Sequence, residues 1–138
     1  MLGRGMRMMQ AVFYRDARSG EPVSDFIDSL PPAAQAALTF QIDRLNTLSE
    51  TDPPLPFPHS SQIEGELREL RCHYGRRLFR ILYCRSEGLF ILLEAFEKTT
   101  AAIPEPEKAI ARARWEDFRR RMKERPRQPP RAAGHDAP

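Results

Sequence analysis

The chain is short of the residues that mark several protein classes. Its 138 residues include only two cysteines, which cannot make a disulfide framework or supply a four-ligand zinc site, so Cys72 and Cys84 are expected as free thiols in a reducing compartment. No stretch approaches the roughly 18 consecutive apolar residues of a membrane helix, and the opening MLGRGMRMMQAVFYR lacks the apolar core of a secretory signal. A cytoplasmic protein without membrane association is expected. G-x-G-x-x-G, G-x-x-x-x-G-K-[ST], H-E-x-x-H and C-x-x-C are all missing, which speaks against dinucleotide, NTP and zinc chemistry. The expectation is no cofactor and no metal.

What is present suits one small globular domain: 41% hydrophobic residues, 30% charged residues and 13 prolines. The formal net charge of +3 is unevenly spread. Residues 119–138 carry seven Lys or Arg against two acidic groups, a net of +5, which leaves the first 118 residues at −2. A basic end on a slightly acidic body can hold nucleic acid through counterion release or simply keep a tail solvated.

Residues 11–15, AVFYR, have the aromatic and β-branched character of a short strand. Val23, Phe26, Ile27 and Leu30 then recur at helical spacing behind Pro22, and Pro31 and Pro32 end that helix. A second helix follows to about Glu50, with Leu38, Ile42, Leu45 and Leu48 on one stripe, so the two form a hairpin. Four prolines between Thr51 and Gln62 impose a surface loop. From Leu67 to His73 the chain alternates as a strand, Leu70 and Cys72 facing one way, Glu69, Arg71 and His73 the other. Two strongly apolar strands, 78–84 and 89–95, join through a polar turn at Ser86, Glu87 and Gly88. A charged helix is expected from Glu105 to Lys123, its apolar face formed by Ile110, Ala113 and Trp115 to Phe118, packed at the sheet's edge or against a partner. The order predicts an α+β fold in which a small antiparallel sheet packs against an N-terminal helical hairpin, with a C-terminal helix. One domain over 1–124 and a basic, proline-rich, disordered tail over 125–138 are expected.

Charged residues on strands that otherwise look like core are the candidates for chemistry. They are Glu69, Arg71 and His73, then Arg80 within LFRILYC, then Glu94 and Lys98. An arginine at position 80 needs a partner, because an unpaired buried charge costs several kcal/mol. Either it pairs across the sheet with Glu69 or Glu94, or its planar fork grips a phosphate on an open face. His73 is a candidate general base, since imidazole changes charge near neutrality. His59 and His135 have no neighbours at ligand spacing and are assigned no role.

Glu69-Leu70-Arg71, LFRILY (78–83), FILLEAFEKTT (90–100), Pro104 and AIARARWEDF (109–118) together resemble the phage-derived, HigB-like branch of the RelE/ParE toxin superfamily. The order of elements agrees from about Phe13 to Phe118. The resemblance implies a RelE-like fold and the toxin half of a type II toxin–antitoxin pair, with ribosome-dependent, metal-independent mRNA cleavage as its activity. The family's E-L-R segment falls on Glu69, Leu70 and Arg71, its strand arginine on Arg80, and its F-x-K-K-T stretch on Phe96, Lys98, Thr99 and Thr100, with Thr99 replacing the second lysine. The catalytic set expected is Glu69, Arg71, His73, Arg80 and Lys98. Arg80, Lys98 and Arg71 would serve as phosphate contacts and Glu69 or His73 as the base. Arg68, Arg76, Arg77, Thr99, Arg119, Arg120 and Arg121 are expected as further RNA contacts, reaching rRNA as well as mRNA. A helix-turn-helix antitoxin is the protein partner implied. Two other outcomes stay open: a ParE-like inhibitor of DNA gyrase, and a non-catalytic member that acts by antitoxin binding and operon regulation.

Overall fold

The computed structural model describes residues 7–124 and 130–135. The chain runs β1 (Gln10–Phe13), α1 (Pro22–Asp28), α2 (Pro32–Asn46), β2 (Ser60–Glu64), β3 (Leu67–Tyr74), β4 (Arg77–Ser86), β5 (Leu89–Glu97) and α3 (Glu105–Arg121). The strands form one sheet in the order β1-β5-β4-β3-β2. All neighbouring pairs are antiparallel except β1 with β5. The class is α+β, compatible with a RelE-like fold.

Position in the sheet explains the sequence of each strand. Strand β4 lies in the middle, and Phe79 through Cys84 are all buried, so it carries a continuous apolar run rather than an alternating one. Strand β2 departs from the sequence reading, which extends the proline loop to Gln62. It is an outer strand in which only Ser60 is fully buried, and polar residues are what an unprotected sheet edge favours. The turn from β3 to β4 places Gly75 at φ 59°, a left-handed conformation that glycine adopts without steric penalty.

Helices cover both faces. On one side α1 and α2 bring Val23, Ile27, Leu38, Ile42 and Leu45 onto Leu70, Cys72, Phe79, Ile81 and Leu92. On the other, α3 lays Ala111, Trp115 and Phe118 over Leu82, Cys84, Ile91 and Leu93. This corrects the expected placement of α3 at the sheet's edge, and its buried stripe differs too: Ala111, Trp115 and Phe118 stand at i, i+4 and i+7, while Ile110 and Ala113 are exposed. Glu105 and Glu107 in the first turn and Arg119, Arg120 and Arg121 in the last match the helix macrodipole. Cys72 and Cys84 are free, and burial pushes both thiols up to about 12.

Part of the expected tail is packed against the body. Ala132 pairs antiparallel with Val12, Ala133 is buried, and its N–H donates to the Ala11 carbonyl at 2.8 Å. Arg131 bonds Glu21 and Ser24 and lies over the Phe13 ring. Side-chain amides of Gln10 and Asn46 hold the Ala133 carbonyl. Alanine and glycine give this segment no hydrophobic pattern, so its order comes from backbone pairing with β1. The remainder of the expected tail, 125–129 and 136–138, lies outside the described residues. No helix among the described residues is long and apolar enough to cross a membrane.

One contact between α3 and the sheet is sensitive to pH. Burial, then a hydrogen bond and repulsion from the Glu94 carboxylate, push the Glu107 carboxyl up to about 7, with Arg114 pulling the other way. Between the ordinary carboxyl range and pH 7, Glu107 is protonated when folded and ionised when unfolded. Its contribution is therefore full below about pH 4 and lost as pH rises through 7. Denaturant titration should show Glu107→Gln flattening the stability difference between pH 5 and pH 8, by on the order of 1 kcal/mol at this partly exposed site. An unchanged pH dependence would show that the carboxyl pair contributes nothing.

Candidate functional site

Residues opposite one another in a ladder share a face of the sheet, and this brings the five expected catalytic residues together. On the α3 side, Glu69 pairs with Leu82 and Leu82 with Glu94; Arg71 pairs with Arg80 and Arg80 with Phe96. His73 pairs with Leu78, and the Lys98 N–H donates to the Leu78 carbonyl at 2.7 Å. Three rows therefore cross β3, β4 and β5. His73 and Lys98 stand at the ends of the outermost row, roughly 10 Å apart across two strand spacings.

Within this grid Arg80 is not the open phosphate contact expected from sequence. Its side chain is 2% exposed, and its Nε donates to Glu69 Oε1 at 2.5 Å. Its Nη1 donates to the Phe79 carbonyl. The reason is position: on the central strand, residue 80 has a strand on either side, so a charge there must be neutralised internally. The same Glu69 oxygen lies 3.5 Å from Arg71 Nη1. With two guanidinium groups on it and 11% of its side chain exposed, Glu69 is placed to orient cations rather than to collect a proton from substrate.

Arg71 is different. Its guanidinium carbon lies 4.8 Å from the centre of the Phe57 ring, and its Nε is buried with no hydrogen-bond partner among the described residues. A buried donor left unpaired costs on the order of 1–3 kcal/mol. Arg71 and His73 also line a cleft of about 340 Å³ with Ala37, Phe40 and Gln41 of α2 and Pro58 and His59 of the loop before β2. Gln41 ties this corner together. Its Nε2 donates to the Arg71 carbonyl at 2.7 Å and reaches His59 Nδ1 at 3.5 Å, while its Oε1 accepts from Arg44 Nε at 2.6 Å.

Sequence reasoning missed His59 and Gln41. Local pattern carries no signal for either: the histidine follows prolines in a loop, and the glutamine is one of several polar positions on α2. Only the pairing of β2 with β3, with the Arg71 N–H donating to the His59 carbonyl at 2.8 Å, carries the imidazole to the cleft.

The remaining expected RNA contacts divide. Arg76 is exposed in the β3–β4 turn beside His73 and Tyr74, and Thr99 is exposed just beyond β5. Lys98 Nζ donates to the Ala101 carbonyl at 2.9 Å, which leaves other ammonium protons unassigned. Arg77 is engaged by both oxygens of Glu97 at 2.9 Å, and this bond holds the Glu97 carboxyl below its usual range. Arg68 faces the other side of the sheet, opposite Tyr83, and donates to the Leu55 carbonyl. Arg120 and Arg121 pair with Asp117. Arg119 sits by Glu66, at the far end of β3 from His73 and roughly 20 Å away along an eight-residue strand. The structure therefore does not bring Arg68, Arg119, Arg120 or Arg121 to the cleft.

A profile of the family described as phage derived protein Gp49-like (DUF891) matches residues 25–116, about two-thirds of the chain. The chain belongs to this family. The span matched in the Gp49-like family holds the cleft, the three rows and most of α3. The Gp49-like family belongs to the RelE/HigB-like toxin superfamily, and membership is consistent with a toxin of a toxin–antitoxin system and implies an antitoxin partner. A search of the curated proteins finds no match.

The Arg80–Glu69 pair makes a testable demand on stability. Glu69→Leu alone strands the buried Arg80 charge and should lower unfolding stability by about 3–5 kcal/mol, and Arg80→Met, which leaves Glu69 with Arg71, should cost less. The double variant, which removes both charges, should recover most of that loss in denaturant titration. Additive losses in the double variant would mean that the two side chains are not coupled.

Proposed function

We propose that the protein is the toxin of a type II toxin–antitoxin pair and a ribosome-dependent, metal-independent endoribonuclease acting on mRNA. The observation that carries this reading is that one cleft is lined by His59, His73 and Arg71. Cleavage of RNA by its own 2′-hydroxyl needs a base, an acid and a cation, and these three side chains supply one of each.

In the proposed reaction one imidazole, neutral, takes the proton from the 2′-hydroxyl as that oxygen bonds to the adjacent phosphorus. The bond from phosphorus to the 5′-oxygen breaks, and the other imidazole, protonated, donates its proton to that oxygen. The products are a 2′,3′-cyclic phosphate and a 5′-hydroxyl, so no water or cofactor enters the first step. Arg71, steadied by Glu69, stabilises the charge that builds on the phosphoryl oxygens. Arg76 in the turn after His73, and Lys98 at the other end of the His73 row, supply further positive charge. The cleft is open, and a site of this kind gains from having its strand positioned by the ribosome.

One observation favours a second reading, antitoxin binding without catalysis. Arg80, which the resemblance places in the catalytic set, is sealed against Glu69. Under that reading expression of the protein alone leaves growth and mRNA intact.

The test is a cleavage assay on programmed ribosomes, with the isolated mRNA as control. His59→Ala and His73→Ala should each slow cleavage by about 10²–10⁴-fold and should each remove one limb of a bell-shaped pH profile. The variant that loses the acidic limb identifies the base. Arg71→Ala should lose a comparable factor without changing the profile's shape. Undiminished cleavage in both histidine variants, or no cleavage by the parent protein, overturns the assignment.

A further inference from the structure

One aromatic ring, Phe40, lines the cleft that the nuclease reading uses, and a second, Phe57, precedes the lining residue Pro58 and contacts the lining residue Arg71. Phe40 on α2 and Phe57 in the proline loop are 58% and 68% exposed, the two highest values among the exposed large hydrophobic side chains of the described residues. Leaving two phenylalanines in water forgoes burial energy that the core would otherwise gain. Neither is a stray surface residue, because each carries an arginine over its face. The Arg44 guanidinium lies 5.1 Å from the Phe40 centroid, and Arg71 lies 4.8 Å from that of Phe57. Tyr74, 41% exposed, follows His73 on the same strand end. None of the described residues lining the cleft is acidic.

A ring with a cation beside it recognises one chemistry well. An unpaired nucleobase stacks on the aromatic face while the guanidinium meets the neighbouring phosphate. A protein helix docking here would call for a continuous aliphatic stripe, whereas the cleft is lined by two histidines, a glutamine and an arginine beside Phe40. Base-paired RNA is a poor fit as well, since its bases are stacked on one another and offer no free face.

We infer that Phe40 and Phe57 are base-stacking platforms that hold two unpaired nucleotides of an RNA strand at the His59–His73–Arg71 cleft, Phe40 in its lining and Phe57 beside Arg71. This rests on the RNA reading above and adds the substrate's form: single-stranded at the scissile bond, gripped by its bases rather than by its backbone alone. Arg44, held by Gln41, and Arg71 then serve two functions each, orienting a ring and neutralising a phosphate.

The experiment measures binding apart from cleavage. A fluorescein-labelled single-stranded RNA of mixed sequence, 2′-O-methylated throughout so that it cannot be cut, is titrated against the full chain and followed by anisotropy. Phe40→Ala and Phe57→Ala should each weaken binding by about 5- to 100-fold and leave the slope of affinity against salt unchanged, because no phosphate contact is lost. Arg44→Ala should lower that slope. Phe57→Trp should retain affinity, whereas Phe57→Leu, which keeps apolar bulk without a π face, should lose it. The same RNA annealed into a duplex should bind weakly. Both rings are exposed, so unchanged melting temperatures confirm that the variants fold. If leucine binds RNA as well as phenylalanine, if duplex binds as tightly as single strand, or if the alanine variants lose only affinity for the antitoxin, the stacking assignment is wrong. Stacking without cleavage in the parent protein would sink the nuclease reading alone, and cleavage with no effect of the ring substitutions would sink the stacking alone.

Discussion

The ion pair between Arg80 and Glu69 is the constraint around which the functional face is arranged. A charge in the middle strand of a sheet covered by helices has no access to water, and only an internal partner makes it tolerable. Glu69 meets that demand from the neighbouring strand, and because its Oε1 also faces Arg71, the pair fixes a second guanidinium at the sheet's edge. The buried arginine thereby acts through the exposed one. Its own charge is neutralised in the core, while the same carboxylate oxygen also holds the guanidinium of Arg71.

The second organising element is Gln41. An amide on α2 spans the gap between helix and sheet, donating to the backbone of Arg71 and reaching the ring of His59. The loop before β2 is held from its other side by the buried bond between Ser60 and Tyr83 hydroxyls at 2.6 Å. A loop rich in proline loses little further freedom on folding, so these few polar contacts suffice to place His59. The cleft is thus assembled from a helix, a strand end and a stiff loop.

Much of this was legible in the sequence, for definite reasons. Alternation over Leu67–His73 assigned Glu69, Arg71 and His73 to one face, and the apolar runs at 78–84 and 89–95 marked two strands joined by a turn, whereas the cover of the second face by α3 was not read. The proline at the start of each helix placed α1, α2 and α3. Whether Arg80 meets a carboxylate or a phosphate could not be read, because both partners satisfy the same guanidinium and only the pairing register decides. Strand β2 and the segment 130–135 were hidden since each is held by backbone hydrogen bonds that polar or small residues make as well as apolar ones. His59 was hidden because its role depends on a contact between elements far apart in the chain.

The basic end of α3 and the candidate cleft lie apart. Arg119 pairs with Glu116, and Arg120 and Arg121 with Asp117, all within α3, and Tyr14, whose hydroxyl is pushed up to about 12 by burial and by its bond to Asp117, joins that network. On the reading proposed above, RNA is held at the cleft, where cations lie beside exposed rings, and not at the end of α3. Ultraviolet crosslinking of an uncleavable single-stranded RNA to the intact protein, followed by mapping of the modified peptides, tests this most directly. The account predicts crosslinks within residues 57–59 and 71–76; crosslinks confined to 119–121, with the cleft unmodified, would contradict it.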